Sequence, residues 1–200
     1  ICGDGVKKPS EACDDGNLVN NDGCSSTCQI EAGCELEPND TCAQVQALPA
    51  FAGSPAVTTI KGNINPTADL DFYSFTLPGP GVSTVRLETF FGTLGTCTST
   101  DANDTRMELR APDCTTVLAS NDDGSGLAYC SLIDGTTTSA AKNLAPGTYD
   151  VRIERSPFQS TPTVLTGYGL QVKILSRCGD GAILDVSEEG SRYIVSVRFQ

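Results

Sequence analysis

The sequence predicts an all-β chain: an antiparallel β-sandwich of jelly-roll type, preceded by a small, loop-dominated, disulfide-rich repeat. Three observations point there. Between residues 35 and 176, apolar side chains alternate with polar ones, the period-two pattern of strands with one face in a core. Turn-forming clusters (NPTAD, LPGPG, RAPDC, SNDDGSG, LAPGT) divide these stretches at short intervals. No window carries a helical stripe longer than two turns, the best being TCAQVQAL from Thr41.

Residues 1–34 come first. Their apolar residues (Ile1, Val6, Leu18, Val19, Ile30) are isolated, too few to offset the conformational entropy of ordering the segment. They also hold Cys2, Cys13, Cys24, Cys28 and Cys34, and a disulfide contributes on the order of 3 kcal/mol. Ten cysteines in 200 residues point to cross-links and an oxidising, secreted or cell-surface location. Zinc fares badly as the rival: the chain has no histidine, and the close pair Cys24 and Cys28 lacks a matching second knuckle.

Strands follow in the second unit, residues 35–176. Tyr73, Phe75 and Leu77 form one inward face, and Val85 and Leu87 another. Met107 and Leu109, then Tyr149, Val151 and Ile153, then Leu170, Val172 and Ile174 continue the pattern. Cys42, Cys97, Cys114 and Cys130 make an even set here, which leaves Cys178 to complete the odd N-terminal set. Cys97 and Cys130 flank one end of a hairpin expected from 106–111 and 116–121, so they are the first expected pair.

The third unit, residues 177–200, begins with CGDGAILDVSEEG from Cys178, which restarts the opening phrase CGDG and then breaks off with Gly190 where a cysteine is due. RYIVSVRFQ follows, with Tyr193, Val195, Val197 and Phe199 on one side of a strand. Unless the tail is foreign, such a strand has to dock on its own sandwich or add to another copy's open edge, which would give head-to-tail rings or filaments. The chain begins at Ile1 and not at methionine, as expected of a processed precursor or of a piece of a longer protein.

Charge narrows the partners. With 25 acids against 13 bases the net charge is −12, which disfavours nucleic acid and anionic membranes and favours a divalent cation. Nor does any segment suit membrane insertion: the longest uncharged run, 42–60, is broken by Pro49, Gly53 and Pro55.

Two acidic clusters are candidate Ca2+ sites, since calcium takes six to eight oxygen ligands at flexible geometry. One is ELEPNDT with TADLDFYSF about thirty residues later, which offers Glu35, Glu37, Asn39, Asp40, Asp69 and Asp71. The other is Asp4, Asp14, Asp15, Asn17 and Asp22 among glycines and cysteines, although Asp and Asn also favour plain turns. DANDT at 101–105 and NDDGSG at 121–126 read more readily as turns.

The motif CGDG…E-x-CDDGN…DGCSxxC over residues 2–34 resembles the cysteine-rich repeat of myxobacterial surface and secreted proteins, which implies a non-catalytic spacer or adhesive module. EPNDT, DFYSF, LAPGTYDVRIE and Y-x-L-x-V, spanning about 35–175, are similar to bacterial pre-peptidase C-terminal domains and collagen-binding modules. That resemblance implies calcium held by Glu35, Glu37, Asn39, Asp40, Asp69 and Asp71. The cysteines at 42, 97, 114 and 130 depart from the common pattern of that family.

Catalysis is not expected. Without histidine, Ser-His-Asp and Cys-His systems are absent from this chain, and nothing singles out a glycosidase carboxylate pair. Three readings stand: a secreted module for adhesion or binding of an extracellular polymer or protein surface, a structural subunit that assembles with copies of itself, and an accessory domain of a secreted peptidase.

Overall fold

The computed structural model describes the chain apart from residues 1, 5–7, 15–17, 19, 21–23, 30, 32, 98–102, 160–163, 179–182, 190–191 and 198–200, and apart from the side chains of 166, 178, 183–189 and 192–197. The alternating stretches are strands, in chain order β1 (Gln46–Ala47), β2 (Val57–Ile64), β3 (Leu70–Leu77), β4 (Val82–Phe91), β5 (Thr105–Arg110), β6 (Val117–Asn121), β7 (Leu132–Asp134), β8 (Gly147–Arg155) and β9 (Leu165–Cys178). They form two sheets, ordered β1-β3-β8-β5-β6 and β2-β9-β4-β7, in which every pairing is antiparallel except the short parallel contact of β1 with β3. The residues picked out by their period face inward: Tyr73, Phe75, Leu77, Val85, Leu87, Met107, Leu109, Val151, Ile153, Leu170 and Val172 belong to one buried cluster shared by the two sheets. Among the described residues no helix is long and apolar enough to cross a membrane.

β2 escapes the sequence reading. Its buried positions are Thr58, Ile60, Gly62 and Ile64, a threonine and a glycine diluting the apolar rhythm. The segment from Thr41 that comes closest to a helical stripe is a turn that leads into β1.

Among the described residues, four disulfides join Cys2 to Cys28, Cys13 to Cys24, Cys42 to Cys114 and Cys97 to Cys130. The expected completion of the N-terminal set by Cys178 needs correction. Cys34 is buried where its backbone bridges Lys61 on β2, and Lys61 is paired with Gly169 of β9. Cys178 ends β9 opposite Val82, nine residues beyond Gly169. At about 3.3 Å per residue the two cysteines sit roughly 30 Å apart, far beyond the span of a disulfide. The sandwich strand therefore runs through Cys178, past the boundary expected at 176.

The terminal strand also differs from expectation. The segment read as a broken-off repeat is itself a strand, β10 (Ile183–Glu189), and it pairs antiparallel with β11 (Arg192–Val197) as a two-stranded sheet. Tyr193, Val195 and Val197 thus lie on a strand whose partner is its sequence neighbour, with Glu188 opposite Tyr193 and Val186 opposite Val195. Phe199 lies outside the described residues.

Candidate metal centre

Residues 34–47 form a strap that crosses from one sheet to the other. At its start the Glu35 N–H donates to the Lys61 carbonyl on the outer edge of β2, 2.8 Å away. At its far side the Phe72 N–H donates to the Asn39 carbonyl (2.9 Å), after which β1 pairs with β3. Gln46 closes the loop from inside: its Oε1 accepts from the Leu36 N–H (2.8 Å) and its Nε2 donates to the Cys34 carbonyl (3.1 Å).

This crossing brings the first predicted cluster together. Ligand-type oxygens of Glu35, Glu37 and Asp71 lie within 4.8 Å of one another, as do those of Glu37, Asp40 and Asp69, so Glu37 belongs to both groups. Asp71 is 0% exposed and Glu35 7%, because Asp71 occupies an inward position two residues before Tyr73 and Glu35 tucks under the sheet edge. Asn39, also 0% exposed, lies against Glu37 and Asp71. With its nitrogen turned inward the Asn39 amide donates to Glu37 Oε1 and Asp71 Oδ1, both at 3.3 Å; turned the other way, its carbonyl oxygen faces the same two carboxylates.

Glu35 and Asp69 are tethered through both carboxylate oxygens, and Asp71 through Oδ2. Glu35 Oε1 accepts from the Asn63 backbone N–H (2.5 Å) and Nδ2 (3.1 Å), while its Oε2 accepts from the Tyr73 hydroxyl (2.9 Å). The Tyr73 and Tyr168 hydroxyl oxygens lie 2.7 Å apart, and the Tyr168 hydroxyl donates to Asp71 Oδ2, so each phenol gives its single proton to a carboxylate. Asp69 accepts from the backbone N–H groups of Asn65 (2.9 Å) and Leu70 (3.0 Å). Gly62 makes room for this network. A Cβ there would lie within 2.6 Å of the Tyr168 ring and hydroxyl and would strike Glu35 Oε2.

Among the described residues no lysine or arginine forms an ion pair with any of these acids. Burial consequently dominates the titration of Glu35, Glu37, Asp69 and Asp71. It pushes Glu35 up to about 8, against the Tyr73 hydrogen bond, and Asp69 up to about 7, with Asp40 beside it adding to the rise. Asp71 is held well above the usual carboxylate range by burial and then by the neighbouring Glu35, and burial raises Glu37 as well. Oxygen donors alone, several of them carboxylates without a cationic side chain, suit a hard divalent cation that replaces protons.

Of the second predicted cluster, Asp4 and Asp14 are among the described residues. Asp4 is paired with Lys8 Nζ at 2.5 Å, and Asp14 Oδ2 accepts from the N–H groups of Gly3 (3.1 Å) and Asp4 (3.3 Å), as in a tight turn. Asp14 and Glu11 approach the Cys28 sulfur, but that sulfur is bonded to Cys2 and is not a thiolate. Asp15, Asn17 and Asp22 lie outside the described residues. Asp104, Asp122 and Asp123, from the two turn-like segments, form one further acidic group within 4.8 Å.

The sequence assigns no role at this site to Tyr168, Gly62, Asn63 or Gln46, and it places Tyr73 on an inward face. A glycine inside a strand pattern and the Asp-x-Tyr spacing of Asp71 and Tyr73 were the available signals, the first marking a close approach and the second a shared inward face.

In comparison with known proteins, residues 1–29 match the family described as a domain of unknown function, DUF4215. None of the curated proteins matches the chain. Among solved structures, PliG of Aeromonas hydrophila, a periplasmic inhibitor of g-type lysozyme, is similar at a TM-score of 0.39 and 12% identity, covering 65% of this chain and 96% of that one. Salmonella Typhimurium PliG gives 0.35 and 14% identity over 64% of this chain and 97% of its own, and an Escherichia coli PliG mutant gives 0.34 and 14% over 64% and 96%. Likeness this slight assigns no function.

Proposed function

We propose that the chain is a non-catalytic, calcium-binding module of a secreted or cell-surface protein, in which Ca2+ at the strap fixes the junction between the cysteine-rich segment and the sandwich. One observation carries this reading: Glu35, Glu37, Asp40, Asp69 and Asp71 fall into two groups that share Glu37, partly buried and without an ion-paired basic side chain among the described residues, with Asn39 against Glu37 and Asp71. Two Ca2+ ions per chain fit that arrangement, with Glu37 common to both. The resemblance of 35–175 to pre-peptidase C-terminal and collagen-binding modules agrees with this ligand set, and that of 2–34 to the cysteine-rich repeat agrees with a role in adhesion or spacing. Four disulfides suit an oxidising compartment.

Calorimetric titration of Ca2+ into chelator-stripped protein tests the reading. Binding near two ions per chain is expected, with a stabilisation of about 2.7 kcal/mol per site at a hundredfold excess over Kd. No heat of binding and an unchanged melting midpoint would overturn it.

A further inference from the structure

We propose that the Cys42–Cys114 disulfide is a positioning element of the cation site, holding the strap in its ligating arrangement before any ion arrives. This inference rests on the proposed function. Cys42 lies two residues beyond Asp40 and three beyond Asn39, so the bridge fastens the ligand-bearing segment close to its last ligand. Its other end is firm: Cys114 sits at the turn between β5 and β6, and its carbonyl accepts from Arg110 Nη1 at 2.8 Å. Arg110 is in turn paired with Glu108 at 2.6 Å and lies over the Phe72 ring, 5.4 Å from its centroid. Phe72 is the residue whose N–H meets the Asn39 carbonyl. The strap is therefore tied at four points: to β2 at Glu35, to β3 at Asn39, to itself through Gln46, and to the β5–β6 turn through Cys42. A ligand segment held this way loses little conformational freedom when the ion binds, which raises affinity without adding a contact to the ion. Opening the bridge loosens the stretch that carries Glu37, Asn39 and Asp40, which keeps the Asn39 bond to Phe72, and leaves Asp71 in place on β3 and Asp69 on the turn before it.

The test uses the full chain and Ca2+ alone as the probe. In a Cys42→Ser/Cys114→Ser double variant the Kd for Ca2+ should rise roughly tenfold. In a Cys97→Ser/Cys130→Ser variant, which loses a different bridge of the same sandwich, it should stay at the parent value. Equal affinity in the first variant and the parent overturns this inference alone, as does an equal loss in both variants. No Ca2+ binding by the parent overturns it together with the proposed function. Hydrogen exchange on the unaltered protein covers the case of a variant that fails to fold. Without Ca2+, the Leu36 and Asn39 amides should be protected by their bonds to Gln46 and Glu37. Exchange there at the rate of an unfolded peptide overturns the inference.

Discussion

Two buried glutamates in this molecule meet opposite fates. Glu108 lies on the outer face of the five-stranded sheet, 5% exposed, and is surrounded by arginines: Arg110 at 2.6 Å, and Arg106 and Arg152 each at 3.0 Å. Arg106 and Arg152 also reach Glu154, at 2.5 and 2.7 Å, so charges of both signs alternate across β5 and β8. Glu35 is buried to a similar degree and has tyrosines, an asparagine and other acids for company. The first cluster is neutralised within the chain, whereas the second has to take protons or a cation from solvent. Counting acids would not separate them. What distinguishes a structural acidic residue from a candidate ligand is the origin of the compensating charge.

The largest expected effect comes from breaking the self-sufficient cluster. Glu108→Ala leaves three guanidinium groups facing one another with their common partner gone. A loss of about 3 kcal/mol is expected, at the low end for a broken buried pair because the arginines keep part of their contact with water. Chemical denaturation with and without Ca2+ checks it: the loss should persist in both conditions. A loss seen only when Ca2+ is present would mean that this cluster also serves the cation site.

Sequence and structure agree on the strands whose inward positions are all large and apolar, such as Met107 and Leu109 or Tyr149, Val151 and Ile153. The acids of ELEPNDT and TADLD come together because the strap ends beside the start of core-facing β3. Disagreement arises where one residue serves two purposes. Tyr73 reads as core and Tyr168 as the first position of the motif Y-x-L-x-V, yet their hydroxyls hold the carboxylates, and Gly62 interrupts the pattern of β2 where a side chain would strike Tyr168 and Glu35. The end of β9 was misplaced for a different reason. CGDG at 178 repeats the opening words, and local similarity outweighed the continuing alternation of β9.

Next in size is the response to pH, which isolates the cluster lacking its own counter-charge. Glu35 and Asp69 titrate at about 8 and about 7 in the folded chain, and both return to the ordinary carboxylate range on unfolding. Between those values the folded chain holds more protons than the unfolded one. Stability of the cation-free protein therefore falls as pH rises from the unfolded values through about 8. Saturating Ca2+ should suppress the fall. In Asp71→Asn, neutral at every pH, the cation-free profile should be flatter and the rescue by Ca2+ weaker. Melting midpoints across this pH range, with chelator and with Ca2+, are the measurement. A cation-free midpoint that rises with pH would contradict the assignment of buried, unneutralised carboxyls.

The smallest expected effect comes from a single methyl group. In Gly62→Ala the new Cβ meets the Tyr168 ring and the Glu35 carboxylate, and neither can yield freely. Tyr168 is fully buried between β2 and β4, and Glu35 is held by the Asn63 N–H and the Tyr73 hydroxyl. Overpacking of this kind costs about 2 kcal/mol. The same methyl at Gly126 meets nothing within 4 Å, so a loss at that position, where φ is +81°, would report backbone strain alone. The two variants should therefore differ in kind. Gly62→Ala should weaken Ca2+ binding because Glu35 is displaced, and Gly126→Ala should lower stability without changing affinity. Calorimetric Kd values for the pair decide it. An unchanged Kd in Gly62→Ala would show that Glu35 does not contribute to holding the ion, and would move the site onto Glu37, Asp40 and Asp69 alone.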